Sequence, residues 1–168
     1  MEYQNFDEKI RNVGRKLIAD YLKFGIVCGI NGPYDDSETE ARNLAHLIII
    51  TAIEIITFGS DKYFPVLEKM GNELCSLKNE DGLYKMREKI GKDNCNGVIG
   101  HAWINEAFIY LYKITKNNKY LKMAYEISNK HSFQRNIGLW GRPGMGNSEQ
   151  AIDFTFNHQL WYAATLAE

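Results

Sequence analysis

The sequence predicts an all-α protein built of helical hairpins, and three features indicate this. Apolar residues recur every three to four positions along most of the chain, which places them on one face of a helix. Segments with one apolar face alternate with segments that are apolar nearly all round. Stretches rich in glycine and asparagine separate several of these segments, as loops do. The length of 168 residues suits a single domain, so residues 1–168 are taken as one unit.

Six helices follow from this pattern. They are expected at about residues 5–24, 38–58, 61–78, 101–115, 120–127 and 153–167. The apolar face of the first helix is expected to consist of Ile10, Val13, Leu17 and Tyr21. The second helix contains LIIITAIEII and ends before Gly59, a typical C-cap residue. His131 follows the fifth helix and is expected at the surface.

The polarity of the helices alternates along the chain. The first, third and fifth helices have a polar face, whereas the second, fourth and sixth are apolar on most sides. A helix with a polar face borders water and an apolar helix is covered, so an outer and an inner layer should form. This is the arrangement of an (α/α) toroid made of helical hairpins. Asn43, Asn105 and Asn157 also stand at similar places near the starts of the three inner helices, as a weak internal repeat would predict.

Composition and charge exclude several classes of function. The net charge of −1 provides no basic surface for nucleic acid. Cys28, Cys75 and Cys95 are widely separated, which predicts buried reduced thiols rather than disulfides or a zinc site. No signal peptide is visible, and the apolar run at 47–56 is too short to span a membrane, which takes roughly 20 residues. We therefore expect a cytoplasmic protein without a metal or other cofactor.

The connections that lead into the three inner helices are rich in carboxylates, histidines, arginines and tryptophans. The first of them is NGPYDDSETEARNLAHL, residues 31–47. Each long connection runs from an outer helix to the N-terminus of an inner one, so the three N-termini should open at the same end of the molecule. Aromatic faces can stack on pyranose rings, and carboxylates and amides can bind sugar hydroxyls. Two carboxyl groups with different pKa values could perform acid–base chemistry on a glycosidic bond.

Three carboxylates are candidates for acid–base roles, namely Asp36, Glu38 and Glu106. The candidates for substrate binding are Asn31, Tyr34, Arg42, His46, Arg87, Asn96, His101, Trp103, Asn157, His158 and Trp161. Other roles stay open for several of these residues. Asp36 and Glu38 also suit a helix N-terminus, where side-chain oxygens accept hydrogen bonds from backbone N–H groups. His46, Trp103 and Trp161 could equally belong to the core.

Four segments carry a resemblance to a known family. They are NGPYDDSETEARNLAHL (31–47), KDNCNGVIGHAW (92–103), GLW (138–140) and DFTFNHQLWYAA (153–164). Over about residues 25–165, the sequence resembles bacterial and archaeal proteins encoded in surface-polysaccharide biosynthesis clusters. These proteins belong to the six-hairpin (α/α) toroid class, which includes many glycosidases, lyases and sugar epimerases. The resemblance implies a role in making or trimming exopolysaccharide.

The three predicted hairpins would form about half of such a ring, because six hairpins need more than about 300 residues. A half-ring leaves an apolar flank on its last helices, and such a patch would seek a partner. The expected partner is a second copy in a homodimer or a missing C-terminal half.

These observations lead to two hypotheses of function. The first is a carbohydrate-active protein that acts by acid–base chemistry on a polysaccharide or its precursor, as a hydrolase, lyase or epimerase. The expected ligand is a saccharide, with no nucleic-acid partner and no membrane span. The second is a non-catalytic helical-repeat module that binds glycans or assembles a biosynthetic complex.

Overall fold

The computed structural model describes residues 2–30, 36–89, 93–143 and 151–168, with the backbone alone described for residues 2–6. The helices in these residues are α1 (Glu2–Phe24), α2 (Glu40–Phe58), α3 (Phe64–Ser76), α4 (Ile99–Thr115), α5 (Asn118–Ser128) and α6 (Phe156–Ala167). A short 3-10 turn, Asp61–Tyr63, leads into α3. The mostly helical structure confirms the prediction of an all-α protein. A small antiparallel hairpin of β1 (Phe133–Gln134) and β2 (Leu139–Trp140) was not predicted, because two-residue strands leave no periodic pattern.

Helix α4 lies at the centre of the molecule. It packs against α2, α3, α5 and α6, and most of its side chains are buried. Ile104, Phe108 and Leu111 are fully enclosed, and each such side chain stabilises the fold by about 1.5–3 kcal/mol relative to its exposed state. Gly71 of α3 permits close packing here, because a Cβ at this position would lie 2.7 Å from the hydroxyl of Tyr120. The prediction that this helix is covered on most sides is confirmed.

Helix α2 begins two residues later than predicted. Its N-cap is Thr39, whose Oγ1 accepts a hydrogen bond from the backbone N–H of Arg42 at 3.3 Å. The C-terminus agrees with the prediction, because Gly59 adopts a left-handed conformation with φ of 60° and its N–H donates to the carbonyl of Ile55. The carboxylates before the helix are therefore not its cap.

A buried carboxylate joins α1 to α2. Glu54 is 3% exposed, and it pairs with Arg11 at 3.2 Å and with Arg15 at 3.4 Å, both from α1. The hydroxyl of Ser60 donates a third contact at 2.9 Å. A buried carboxylate is stable only with such partners, so this apolar-looking helix needs α1 at its side.

The apolar face predicted for α1 is not the face that the protein buries. Tyr21 is buried, but Ile10, Val13 and Leu17 are 57%, 60% and 42% exposed. The arginine contacts to Glu54 and the close approach of Gly14 to α2 fix the rotation of α1 instead. The prediction for these three residues is wrong, because helical spacing identifies a shared face but not what covers it.

The inner helices contact one another in the order α2, α4, α6, with α1 on α2, α3 between α2 and α4, and α5 on α4. This order agrees with two layers, and closure into a toroid stays a prediction. Helix α6 is covered on one side only, so the expectation that it is buried is wrong. Its exposed face includes Phe156 and Leu160, and Phe154 precedes them, so the apolar flank expected on the last helix is confirmed.

Helix α2 is long and apolar enough, by length and composition, to cross a membrane, with a mean hydropathy of 1.5. A helix in the core of a folded domain meets the same criterion, and 50% of this window is buried within the protein. The expected absence of a membrane span and the cytoplasmic location stay predictions.

The exposed flank of α6 leads to a first testable prediction. Because Leu160 is 60% exposed beside other apolar side chains, we expect the purified chain to self-associate, and Leu160→Glu to reduce this association. Light scattering at rising protein concentration measures the mass of both proteins. The control is Leu121→Glu, an exposed position on α5, which should leave the association unchanged. A wild-type chain that stays monomeric throughout would contradict this prediction.

Candidate functional site

The N-terminal halves of the three inner helices lie side by side and expose one face. The side chains on this face come from α2, α4, α6 and the residues just before α2, and we call them the inner strip. They are Glu38, Arg42, His46, Trp103, Glu106, His158 and Trp161. The prediction that the three N-termini open at the same end is thereby confirmed for the described residues.

Trp103 joins the part of the inner strip on α2 to the part on α4. The ring of His46 meets the indole edge-on, with 4.8 Å between the ring centroids. The guanidinium of Arg42 lies over the indole at 5.4 Å, within the range of a cation–π interaction. Trp103 is half-buried, so one part of the ring packs on the core and the rest stays accessible.

Glu106 and Trp161 join α4 to α6. The indole Nε1–H of Trp161 donates to Oε2 of Glu106 at 3.0 Å. Glu106 stands three residues after Trp103, so both side chains lie on the same face of α4. His158 stands three residues before Trp161 and shares a face of α6 with it. The inner strip is thus continuous across the three helices.

Glu38 is held in place as a charged group. Its Oε2 accepts hydrogen bonds from Nδ2 of Asn43 at 3.0 Å and from the backbone N–H of Gly29 at 3.2 Å. The hydrogen bond from Asn43 lowers the pKa of Glu38 below its usual value, and the hydrogen bond from Gly29 lowers it further. The nearby side chains of Arg42 and His46 act in the same direction, while burial opposes the shift. At neutral pH this side chain is therefore an acceptor of hydrogen bonds.

His46 is neutral at neutral pH. Burial lowers the pKa of His46 and the charge of Arg42 lowers it further, while Glu38 opposes the shift. Within the described residues, neither ring nitrogen of His46 has a hydrogen-bond partner. A neutral imidazole can donate with one nitrogen and accept with the other, so His46 can bind a hydroxyl group.

A cavity of about 540 Å³ lies next to this end of the inner strip, between α1 and α2. Its walls are mostly apolar, with Tyr21, Phe24 and Val27 among them. Glu38 and His46 lie at its polar end. A cavity of this kind can take a ligand that has both an apolar part and hydroxyl groups.

Asp153 and His158 form a second polar cluster, at the start of α6. Oδ2 of Asp153 is 2.8 Å from Nδ1 of His158 and accepts the N–H of Val98 at 3.0 Å, while Oδ1 accepts the N–H of Thr155 at 3.0 Å. Burial alone would raise the pKa of Asp153, but these hydrogen bonds lower it overall. Asp153 was not among the predicted site residues, although its place five residues before His158 was a visible signal.

Asp36 lies in a different place from the inner strip. It is 2% exposed, its Oδ2 pairs with Nε of Arg87 at 2.8 Å, and its Oδ1 accepts the backbone N–H of Lys89 at 3.1 Å. Two predicted site residues, Asp36 and Arg87, are thus partners that tie two loops together. This geometry supports a structural role, and an acid–base role for Asp36 finds no support in it.

His101 lies in the core instead of at the opening. Its Nδ1 is 2.8 Å from Nε2 of His131, and its Nε2 accepts the backbone N–H of Tyr84 at 3.2 Å. Nδ1 of His131 donates to the carbonyl of Gly141 at 3.0 Å, so the direction of the whole chain of bonds is fixed. Neither ring is available to a ligand. The expectation that His131 is at the surface is wrong, because this pairing over 30 residues buries it at 6% exposure.

Two further predicted residues that the structure describes, Asn96 and Asn157, are not members of the inner strip. Asn96 lies in the loop before α4 with a left-handed φ of 56°. Asn157 is exposed at the start of α6. Asn31 and Tyr34 lie outside the described residues. Within residues 2–30, 36–89, 93–143 and 151–168, no three histidine, cysteine, aspartate or glutamate side chains stand close enough to hold a metal ion.

Fold and site together define a helical protein with an aromatic and carboxylate-bearing face across its inner helices. The chain is 30% identical over 142 residues to archaeal glycosylation protein Q of Haloferax volcanii. The match covers 82% of this chain and 38% of that protein, so the chain spans well under half the length of the curated relative. No family model and no solved structure matches the chain.

Breaking the Asp36–Arg87 pair should destabilise the protein. We expect Asp36→Asn to lower the free energy of unfolding by about 2 kcal/mol, because it leaves Arg87 without its buried partner. Urea denaturation measures this change. Asp20→Asn is the control, since Asp20 pairs with Lys16 at the surface and should cost less than about 1 kcal/mol. Equal stability of the Asp36→Asn variant and the wild type would refute the structural role.

The histidine pair should make stability depend on pH. Burial, and for His101 also the neighbouring His131, lowers the pKa values to about 3 for His101 and about 4 for His131. In the unfolded chain these two histidines bind protons near pH 6.5, whereas in the folded chain they stay neutral. The stability that is present above pH 6.5 is therefore lost as the pH falls toward 4.

We expect the two histidines to lower the free energy of unfolding by about 2 kcal/mol each between pH 7.5 and pH 5. Urea denaturation at both pH values measures this loss. His131→Gln keeps a donor and an acceptor but does not titrate, so its pH-dependent loss should be about half as large. An unfolding midpoint that does not change with pH would show that the histidines are not buried as described.

Proposed function

We propose that this protein binds a saccharide on the inner strip and acts on it during glycan biosynthesis. The observation that carries the proposal is the continuous face of Arg42, His46, Trp103, Glu106 and Trp161 across three helices. The similarity to a protein named for glycosylation supports the same class of ligand.

The side chains of the inner strip suit the two surfaces of a sugar ring. The accessible parts of Trp103 and Trp161 offer apolar faces for the C–H groups of a pyranose. Around them, Glu38, Glu106 and neutral His46 accept or donate hydrogen bonds to hydroxyls. Among the described residues, Nε of Arg42 has no hydrogen-bond partner, and the guanidinium can bind a hydroxyl or carboxylate of the ligand.

Acid–base chemistry is the reaction class that these groups support best. Glu106 is the strongest candidate for a catalytic carboxylate, because it lies on the strip and its hydrogen-bond partner among the described residues is the exposed indole of Trp161. Glu38 is the second carboxylate of the strip. Hydrolysis, elimination and epimerisation all need such groups, so the proposal includes these three types.

A non-catalytic glycan-binding or assembly module is the second candidate. Its support is the apolar flank of α6, where exposed Phe156 and Leu160 offer a surface for assembly. We further propose that the three hairpins form half of an (α/α) toroid, with the inner strip on the concave side. The order of contacts α2–α4–α6 and the exposed flanks at both ends of this row support the arrangement. A second copy or a further half of the protein would then complete the pocket.

Binding can be tested by tryptophan fluorescence during titration with glucose, galactose and glucuronic acid. We expect a saturable change in the wild type and binding at least about 10-fold weaker in Trp161→Phe, because the indole is a stacking surface and a partner of Glu106. The control is Trp140→Phe, since the ring contacts of Trp140 are with Phe133 and Tyr162, which are not members of the inner strip. Equal affinities of the two variants would refute the inner strip as the site.

Turnover distinguishes the two candidate functions. Proton NMR of oligosaccharides in D₂O detects new reducing ends, new double bonds and exchange at sugar carbons in one experiment. For an enzyme, Glu106→Gln should bind the saccharide and lose turnover by at least about 100-fold. Saturable binding without any of these signals in the wild type would favour the binding module.

A further inference from the structure

We propose that Nε2 of His158 accepts the proton of a saccharide hydroxyl, with Asp153 as the residue that positions the imidazole. This inference rests on the proposed function, since it assigns a catalytic role to one member of the inner strip. The sequence predicts only a contact to substrate for His158 and no role for Asp153.

The geometry fixes which nitrogen of His158 is free. Asp153 is a carboxylate with 2% exposure, and an ionised carboxylate only accepts hydrogen bonds. Nδ1 of His158 therefore donates to Oδ2 of Asp153 across 2.8 Å. In a neutral imidazole the other nitrogen, Nε2, is then an acceptor. No described residue bonds to Nε2, and the side chain of His158 is 23% exposed.

The surroundings of Asp153 hold it rigidly. The N–H groups of Val98 and Thr155 bind its two oxygens at 3.0 Å each. Gly97 lies against the carboxylate with a left-handed φ of 66°, and a Cβ there would be 1.9 Å from Oδ2. Only glycine can occupy this position without displacing the carboxylate. The loop before α4 and the start of α6 thus jointly build the anchor for His158.

His158 belongs to the same helix as the residue that contacts the candidate acid–base group of the inner strip. His158 shares a face of α6 with Trp161, and Trp161 contacts Glu106. In the proposed step the O–H bond of the sugar breaks, the N–H bond forms at Nε2, and the oxygen keeps the electron pair. The positive charge of the resulting imidazolium lies beside the Asp153 carboxylate, which stabilises it.

The first test reads the tautomer of His158 without any substrate. We expect ¹⁵N NMR of the histidine-labelled protein to show a protonated Nδ1 and an unprotonated Nε2 for His158, whose signals are identified by their loss in His158→Gln. In Asp153→Asn the population of this tautomer should fall, with the signals of His46 as internal control. A purely structural Asp153 would leave the tautomer unchanged, and a protonated Nε2 in the wild type would overturn the inference.

The second test adds glucose, galactose or glucuronic acid to the same sample. We expect the Nε2 signal to shift with the same saturation as the tryptophan fluorescence, and His158→Gln to lower kcat at least about 100-fold with little change in KM. Tryptophan quenching with an unmoved Nε2 signal, or full turnover of His158→Gln, would overturn this inference and leave the proposed function intact. A missing fluorescence response to all three sugars would overturn the proposed function itself, and the role of His158 with it.

Discussion

The packing of α4 determines where the other two inner helices and the inner strip lie. Four helices cover α4, and its fully buried side chains include Ile104 and Phe108. A helix covered in this way keeps only a narrow open stripe, and on α4 that stripe begins with Trp103 and Glu106. Because α2 and α6 flank α4 with their N-termini at the same end, their own open side chains extend this stripe into the inner strip. The position of the candidate site is thus a consequence of helix packing.

The sequence predicts the order and type of the helices because their periodicity is strong. It also predicts that polar residues before the inner helices meet at one end, since this needs only the direction of each connection. The rotation of α1 was not predictable in the same way. Ile10 and Val13 have the right spacing for a core face, but the ion pairs of Arg11 and Arg15 with Glu54 decide which side is buried.

The four histidines show that sequence spacing also has limits in predicting the site. In the sequence, each of His46, His101, His131 and His158 is a polar residue near a helix end. Their environments differ because of partners that are far away in the chain, such as Tyr84 and Gly141 for the two core histidines. Spacing along the chain does not indicate which residues pair in this way. The position of Asp153 near His158 was visible in the sequence, but its anchoring role was not, because that role depends on a glycine 56 residues earlier that leaves room for the carboxylate.

The joint between α1 and α2 has a consequence for the cooperativity of the fold. Three residues of the apolar face predicted for α1 are exposed, Ile18 and Tyr21 reach the core, and a carboxylate shared by two arginines joins α1 to α2. Hydrophobic packing is retained through small motions, whereas a buried ion pair weakens sharply once water enters. We therefore expect α1 to detach from α2 at a lower free energy than the centre around α4 needs to open. In a closed ring of hairpins, the contact between α1 and α2 would be the place where the ring opens.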